Sequence, residues 1–206
     1  MNTTKEEYQN MVREIDIAIA DIVDEFTQTT KLLNNNKDLI RIRLLVSFSL
    51  LEVLCTIFNQ YYNHKLKDKA LMKKFIKEYC LTDKNRDYKE HPYLNKIDEK
   101  YLYELRCSIT HAFSLPEQKG SLAVSFLNGS ENVPIIKKFE KGFENKGLNP
   151  VFISPDSLIK LFTKGGMILV EEMLPAVDNP TKEQFESVQR VYKEILRRGS
   201  KTIPIA

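Results

Sequence analysis

The sequence predicts a mainly α-helical protein, a helical bundle that carries a small antiparallel β insertion around residues 120–154. Two observations predict the bundle: apolar residues recur every three or four positions over most of the chain, and one segment is apolar almost all round. The insertion is predicted by a change of this period after about residue 120, where short β-prone runs flank turn residues. We expect one domain over residues 1–206.

The first two predicted helices differ in how their apolar residues are distributed. From Thr3 to Leu33 the apolar positions recur every three or four residues, which is typical of an amphipathic helix. Residues Asn34 to Asn36 end it, since asparagine competes for backbone hydrogen bonds. From about Asp38 to His64 the helix is apolar on nearly every face, so it has to be enclosed by other helices. We expect this second helix at the centre of the core.

The rest of the chain predicts four more helices and three short strands. The helices are expected at Lys67–Tyr79, at Asp98–Phe113, from Ser154 to about Leu174, and from Asn179 to Gly199. Ser154-Pro155-Asp156 is a strong start signal, because it supplies a cap, a proline in the first turn and an acid at the positive end of the helix dipole. The strands are expected at Leu122–Leu127, Ile135–Ile136 and Val151–Ile153, with Asn128-Gly129 as a turn.

Composition predicts a reduced, cytoplasmic protein that does not enter a membrane. Of 206 residues, 42% are hydrophobic and 29% are charged, which is ordinary for a soluble globular protein. The three cysteines, Cys55, Cys80 and Cys107, are widely spaced and form no CxxC, so a disulfide framework is not expected. The N-terminus is polar and acidic, and the most apolar stretch, Leu44 to Phe58, is shorter than the about 20 residues of a spanning helix.

Histidine is scarce, with only His64, His91 and His111 in the chain. A metal site built mainly from imidazoles would need nearly all of them, and the sequence contains no HExxH, no Walker loop and no GxGxxG. We therefore expect no metal and no cofactor. His64 and His91 stand in the sequence without neighbours that would form a site with them.

The third histidine has such a neighbour, because Arg106 stands five positions before His111. A histidine, with its ordinary pKa of about 6.5, can take a proton from a ribose 2′-hydroxyl or give one to the leaving oxygen. An arginine can hold the phosphate and its growing negative charge. Ser108 and Thr110 could add hydrogen bonds, so the segment suits phosphodiester cleavage.

The spacing also limits this interpretation. Five residues turn an α-helix by about 140°, so Arg106 and His111 do not share one face and would meet in a groove or at a subunit interface. With eight arginines and three histidines in the chain, such a spacing also arises by chance. The residues alone leave open that His111 is structural.

Arg106 and His111, late in a core helix of a helical bundle, resemble the RxxxxH motif of HEPN domains. The segment around them, Leu-Arg-Cys-Ser-Ile-Thr-His-Ala-Phe, is similar to that in bacterial HEPN-like proteins. The motif covers six residues, whereas the bundle pattern covers most of the chain apart from the insertion. The resemblance implies a metal-independent endoribonuclease, often a toxin or phage-defence effector, which leaves a 2′,3′-cyclic phosphate.

The same resemblance implies roles and partners. Arg106 would stabilise the phosphate and His111 would be the acid and base, at a composite site across a homodimer. RNA is the implied substrate, and an antitoxin or a nucleotidyltransferase-type protein is the implied partner. The charge distribution of the sequence favours RNA binding, because residues 64–100 carry eleven basic and seven acidic groups interleaved with tyrosines. A lysine-rich solvated surface would give the same pattern.

One position departs from the family. Catalytic members often have Asn, Asp or His directly after the arginine, whereas this chain has Cys107. Inactive, regulatory and nucleotide-binding members also exist. Three functions therefore stay open: an endoribonuclease, a non-catalytic HEPN-like module that binds nucleotide, RNA or a partner protein, and a helical interaction protein in which His111 is structural.

Overall fold

The structure is a computed structural model, and it describes residues 2–35, 39–85, 97–112, 122–126, 149–174 and 180–199. Within these ranges the helices are α1 (Asn2–Leu32), α2 (Ile40–Tyr62), α3 (Asp68–Phe75), α4 (Glu99–Ala112), α5 (Pro155–Met173) and α6 (Lys182–Gly199). The strands are β1 (Leu122–Phe126) and β2 (Asn149–Ile153). A 3₁₀ turn, Leu33–Asn35, follows α1, and one π-helical turn, Ile76–Cys80, extends α3. The prediction of a mainly helical bundle is confirmed.

Helix α2 lies at the centre of the bundle, as its apolar sequence predicts. It contacts α1, α3, α4, α5 and α6. Six of its apolar residues have no exposed surface: Leu44, Leu50, Leu51, Leu54, Ile57 and Phe58. Each such side chain stabilises the fold by about 1.5–3 kcal/mol through burial. None of the helices in the described ranges is both long and apolar enough to cross a membrane.

Arg43 of α2 is a charged residue inside this core, with none of its surface exposed. Its Nη2 donates to both carboxylate oxygens of Asp156 at 2.9 Å, and its Nε donates to the carbonyl of Thr30 at 3.2 Å. Asp156 lies in the first turn of α5, two positions after the cap residue Ser154, whose Oγ accepts from the N–H of Ser157 at 3.0 Å. Arg43 therefore ties α2 to the start of α5 and to the end of α1.

Two glycines let α5 approach its neighbours closely. A Cβ at Gly166 would lie 2.9 Å from Cδ2 of Leu54 on α2, and a Cβ at Gly165 would lie 2.8 Å from Sγ of Cys80 in the π-helical turn. Glycine inside a helix costs about 1 kcal/mol relative to alanine. Close packing of α5 on both neighbours offsets that cost.

The β pairing differs from the predicted one. Strands β1 and β2 are parallel, with Leu122 opposite Asn149, so the antiparallel insertion expected around residues 120–154 is wrong for this pair. The turn signal Asn128-Gly129 favoured a hairpin, but a parallel pair needs a crossover of about a dozen residues or more. Residues 127–148, which separate β1 from β2, provide that length. They lie outside the described residues, as does the expected strand Ile135–Ile136.

Replacing Asp156 tests the buried ion pair. We expect Asp156→Ala to lower the free energy of unfolding by about 3 kcal/mol, because it leaves the charge of Arg43 buried without its carboxylate. This is the low end of the range for a buried pair, since the Asp156 side chain is 30% exposed. Urea unfolding followed by circular dichroism measures the change.

A matched control is Lys182→Ala, which removes the exposed ion pair between Lys182 and Glu186 on α6. It should change stability by less than about 0.5 kcal/mol. Equal effects of the two substitutions would contradict the structural role of Arg43.

Candidate functional site

Helix α4 holds Arg106 on its flank, beside α2. The helix is capped by Asp98, whose Oδ1 accepts from the N–H of Tyr101 at 2.6 Å. Three apolar residues, spaced by three and four positions, are buried in the core: Leu102, Leu105 and Ile109. Arg106 lies beside this stripe, with 20% of its side chain exposed. The guanidinium therefore sits where the core meets solvent.

Arg106 is bound by Glu52 of α2. Its Nε donates to Oε1 of Glu52 at 2.8 Å, and its Nη2 donates to the same oxygen. Partial burial lowers the pKa of Arg106, but the hydrogen bond and the charge of Glu52, together with a hydrogen bond to Cys107, raise that pKa by more. Arg106 is therefore a permanent cation. Because Glu52 is 45% exposed, we expect the pair to position Arg106 more than to stabilise the fold.

Two cysteines, Cys55 and Cys107, and one tyrosine, Tyr103, lie beside this ion pair. Cys107 is half-buried, and its hydrogen bond with the side chain of Tyr103 raises the pKa of the tyrosine. Cys55 lies one turn after Glu52 on α2 and is buried. Burial raises the pKa of Cys55 and the charge of Glu52 raises it further, while Arg106 opposes both. Cys55 therefore stays a protonated thiol at neutral pH.

The other residues of the predicted site, Ser108, Thr110 and His111, do not form one group with Arg106 in the described part of the chain. The hydroxyl of Thr110 donates to the carbonyl of Arg106 at 2.7 Å, so it serves the helix backbone. Ser108 is half-buried and, two positions after Arg106, lies about 200° around the helix from it. The backbone of His111 belongs to the last turn of α4, and its side chain is outside the described residues. The structure therefore joins Arg106 to Glu52 and Cys107, and the role of His111 stays a prediction.

A second polar cluster, which the sequence did not predict, joins the end of α2 to the π-helical turn and to α5. The hydroxyls of Tyr62 and Tyr79 both donate to Oε2 of Glu172 at 2.6 Å. Nζ of Lys84 donates to Oε1 of Glu172 at 3.5 Å. The ring of His64 stacks on Tyr62, with 5.4 Å between centroids and 17° between planes. We call these five residues the Tyr-Glu cluster.

Burial, hydrogen bonds and nearby charges together set the protonation of the Tyr-Glu cluster. Burial raises the pKa of Glu172, but the hydrogen bonds from Tyr62 and Tyr79 and the charge of Lys84 lower that pKa by more. Burial raises the pKa of Tyr79, and its bond to Glu172 raises it further. Burial and the charge of Lys74 lower the pKa of His64. The cluster is therefore a carboxylate held by two neutral phenols beside an imidazole that is neutral at pH 7.

Sequence reasoning missed the partners in both clusters. Glu52 carried one local signal, since it is the only charged residue in the apolar run from Leu44 to Phe58. Glu172 carried none, because it lies 93 residues after Tyr79 and 110 after Tyr62. In the described part of the chain, no group of three or more histidine, cysteine, aspartate or glutamate side chains is arranged to hold a metal ion.

Comparison with known proteins does not identify a family. The chain matches no protein-family model, no curated protein and no solved structure. The resemblance to HEPN domains therefore depends on the motif from Arg106 to His111 and on the helical bundle that carries it.

Replacing Glu172 tests the Tyr-Glu cluster through pH. The pKa of Glu172 is lowered in the folded protein, so its ionised form stabilises the fold above the ordinary glutamate pKa of about 4.3. That contribution is lost as the pH falls through the lowered value. We expect Glu172→Gln to cost about 1–2 kcal/mol at pH 7, and the difference from wild type to shrink in acid. Urea unfolding at several pH values measures it.

The neighbouring exposed residue Glu171 supplies the matched control. Glu171→Gln should leave stability within about 0.5 kcal/mol of wild type. A destabilisation by Glu172→Gln that stays constant from neutral to acid pH would contradict the assigned charge state of Glu172.

Proposed function

We propose that the protein is a metal-independent endoribonuclease of HEPN type, in which Arg106 binds the scissile phosphate and His111 transfers the proton. One observation carries the proposal. Arg106 is a permanent, partly exposed cation on α4, the same helix as His111, and it is held by Glu52 of the enclosed helix α2. Its two bonds to Glu52 use two of the five guanidinium N–H donors, and its bond with Cys107 uses a third. Further donors thus stay available for a phosphate.

The reaction requires two proton transfers. The ribose 2′-oxygen gives up its proton to a base and bonds to phosphorus, while the bond from phosphorus to the 5′-oxygen breaks and that oxygen takes a proton. The products are a 2′,3′-cyclic phosphate and a 5′-hydroxyl. Arg106 stabilises the charge on the phosphate oxygens in between. Because Arg106 and His111 lie about 140° apart around α4, we place the reaction at the interface of a homodimer.

Wider roles follow from the same resemblance and belong to the proposal. The enzyme acts in the cytoplasm as a toxin or a phage-defence effector, and its activity is restrained by an antitoxin or a nucleotidyltransferase-type partner. RNA is the substrate.

A second candidate function is a non-catalytic HEPN-like module that binds nucleotide, RNA or a partner protein. The ion pair itself favours it, because Glu52 neutralises the charge that Arg106 would offer to a phosphate. Cys107, in the place where catalytic relatives often carry Asn, Asp or His, points the same way. This candidate predicts binding without turnover.

Cleavage in the presence of EDTA separates the two functions. Wild-type protein should cut a labelled single-stranded RNA and leave 2′,3′-cyclic phosphate ends. Arg106→Ala and His111→Ala should each slow cleavage by about 100-fold or more, since they remove the phosphate ligand and the acid–base group. Denaturing gels give the rates, and sensitivity of the product ends to a 2′,3′-cyclic phosphodiesterase identifies them.

His91→Ala is the matched control, because it removes a histidine to which the proposal gives no role. It should cut RNA at the wild-type rate. Absence of cleavage by wild type, or equal cleavage by wild type and His111→Ala, would contradict an endoribonuclease. RNA binding without cleavage would favour the second candidate.

A further inference from the structure

A dense group of lysines lies on α3 and on the loop before it. Residues 65–77 contain six lysines and a single acidic residue, Asp68. Lys65, Lys67 and Lys69 are exposed, and Lys73 is half-buried. The apolar side of α3 is covered, since Leu71, Met72 and Phe75 are buried in the core. The lysines therefore form a cationic surface on a helix that is fixed to the bundle.

This surface meets an aromatic ring on α4. Helix α3 packs against α4, and Nζ of Lys69 lies 5.6 Å from the ring centroid of Tyr103. That distance is near the outer limit of a cation–π contact, so the contact is weak. Lys69 can therefore turn from the ring toward an anion with little loss of free energy. Lys73 follows Lys69 by one turn on the same side of α3. Tyr103 is half-buried and packs against the edge of the core, so part of the residue faces solvent.

Tyr103 also lies next to Arg106. The two residues are three positions apart on α4, so their side chains are neighbours on one flank of the helix. A strip of groups thus runs from Lys73 and Lys69 over Tyr103 to the guanidinium of Arg106. We call these four residues the Tyr103 strip.

Two carboxylates lie along the Tyr103 strip. The charge of Asp68 acts on Tyr103, and Glu52 pairs with Arg106. Asp68 is one acid among the six lysines of residues 65–77, whereas α4 carries Glu99 and Glu104 beside Lys100 and Arg106, so the positive charge is concentrated on the α3 side of Tyr103. A polyanion is therefore favoured at the α3 end, where the lysines are densest.

We infer that the Tyr103 strip binds a single-stranded polynucleotide, with Tyr103 stacking on a base and Lys69 and Lys73 contacting phosphates. This inference rests on the proposed function, because the bound strand would lead to the phosphate at Arg106. Lysines beside an accessible ring are the groups that bind single strands without sequence preference. An acidic protein would use the lysines and leave the ring without a role. A duplex keeps its bases stacked internally, away from Tyr103.

Binding is measured by fluorescence anisotropy with a labelled 12-nucleotide 2′-O-methyl RNA, which lacks the 2′-hydroxyl needed for cleavage. Each phosphate contact contributes about 0.7 to the slope of log affinity against log salt for a single strand, so Lys69→Ala/Lys73→Ala should reduce the slope by about 1.4. Tyr103→Ala should weaken binding by roughly five- to 100-fold with the slope unchanged. Tyr103→Phe keeps the ring and should bind like wild type.

The control pair is Lys182→Ala/Lys193→Ala, which removes two exposed lysines from α6 and should leave the slope unchanged. A DNA strand of the same sequence should depend on the same residues, since neither contact uses the 2′-hydroxyl. A 2′-O-methyl RNA duplex should bind more weakly than the single strand, and Tyr103→Ala should not change its affinity. Circular dichroism and urea unfolding check that each variant is folded.

Three results would overturn the inference. One is an equal loss of slope in the α6 control pair, and another is equal affinity of Tyr103→Ala and Tyr103→Phe. The third is displacement of the RNA by polyglutamate as effective as that by unlabelled RNA, which would indicate an acidic protein partner. Binding along the Tyr103 strip without any cleavage of ordinary RNA would contradict the proposed function and leave this inference standing. Cleavage that requires Arg106 and His111 but is unaffected by the Lys69, Lys73 and Tyr103 variants would do the reverse.

Discussion

Enclosure of α2 is the constraint on which the rest of the structure depends. A helix that contacts five others has little access to water, so a buried charge on it is costly unless a neighbouring helix supplies a partner. Arg43 pairs with Asp156 at the start of α5, and the hydroxyl of Ser47 donates to the carbonyl of Pro155 in the same turn at 3.2 Å. At the other end, the carbonyls of Gln60 and Tyr61 accept from the α6 side chain Arg190 at 3.0 and 3.1 Å. The apolar core supplies most of the stabilisation, while these few polar contacts set which helix lies where.

The same constraint reaches the candidate site. Glu52 is the one acid along the apolar part of α2, and it lies at the edge of the core where α4 passes. Its carboxylate holds Arg106 from a helix that packs against five others, so the guanidinium is positioned before any ligand arrives. Prepositioned charge is useful in a reaction that develops negative charge on phosphate oxygens. Glu52 also partly neutralises the charge of Arg106. If positioning of the guanidinium outweighs this loss of charge, the site favours an enzyme, and if it does not, the site favours a binding module.

Local patterns predicted the helices well, because apolar periodicity depends on neighbours three and four residues away. The enclosure of α2, the capping of α5 by Ser154 and the placement of Arg106 on α4 all followed from such patterns. Contacts across the bundle did not follow, because packing decides them: Arg43 and Asp156 are 113 residues apart, and Glu52 and Arg106 are 54 apart. The parallel pairing of β1 with β2 was missed for the same reason, since a turn signal reports only local geometry.

The central claim is that Glu52 acts through Arg106, and a double-mutant cycle on RNA cleavage tests it most directly. Glu52→Gln keeps the shape of the side chain and removes its charge, and Arg106→Lys keeps a charge without the planar fork. We predict that Glu52→Gln slows cleavage by about tenfold or more when Arg106 is present, because a misplaced guanidinium stabilises the phosphate less. In the Arg106→Lys background the same change should slow cleavage by less than about twofold, since the planar guanidinium that Glu52 orients is already absent. Equal factors in both backgrounds, or no effect of Glu52→Gln in either, would contradict the claim.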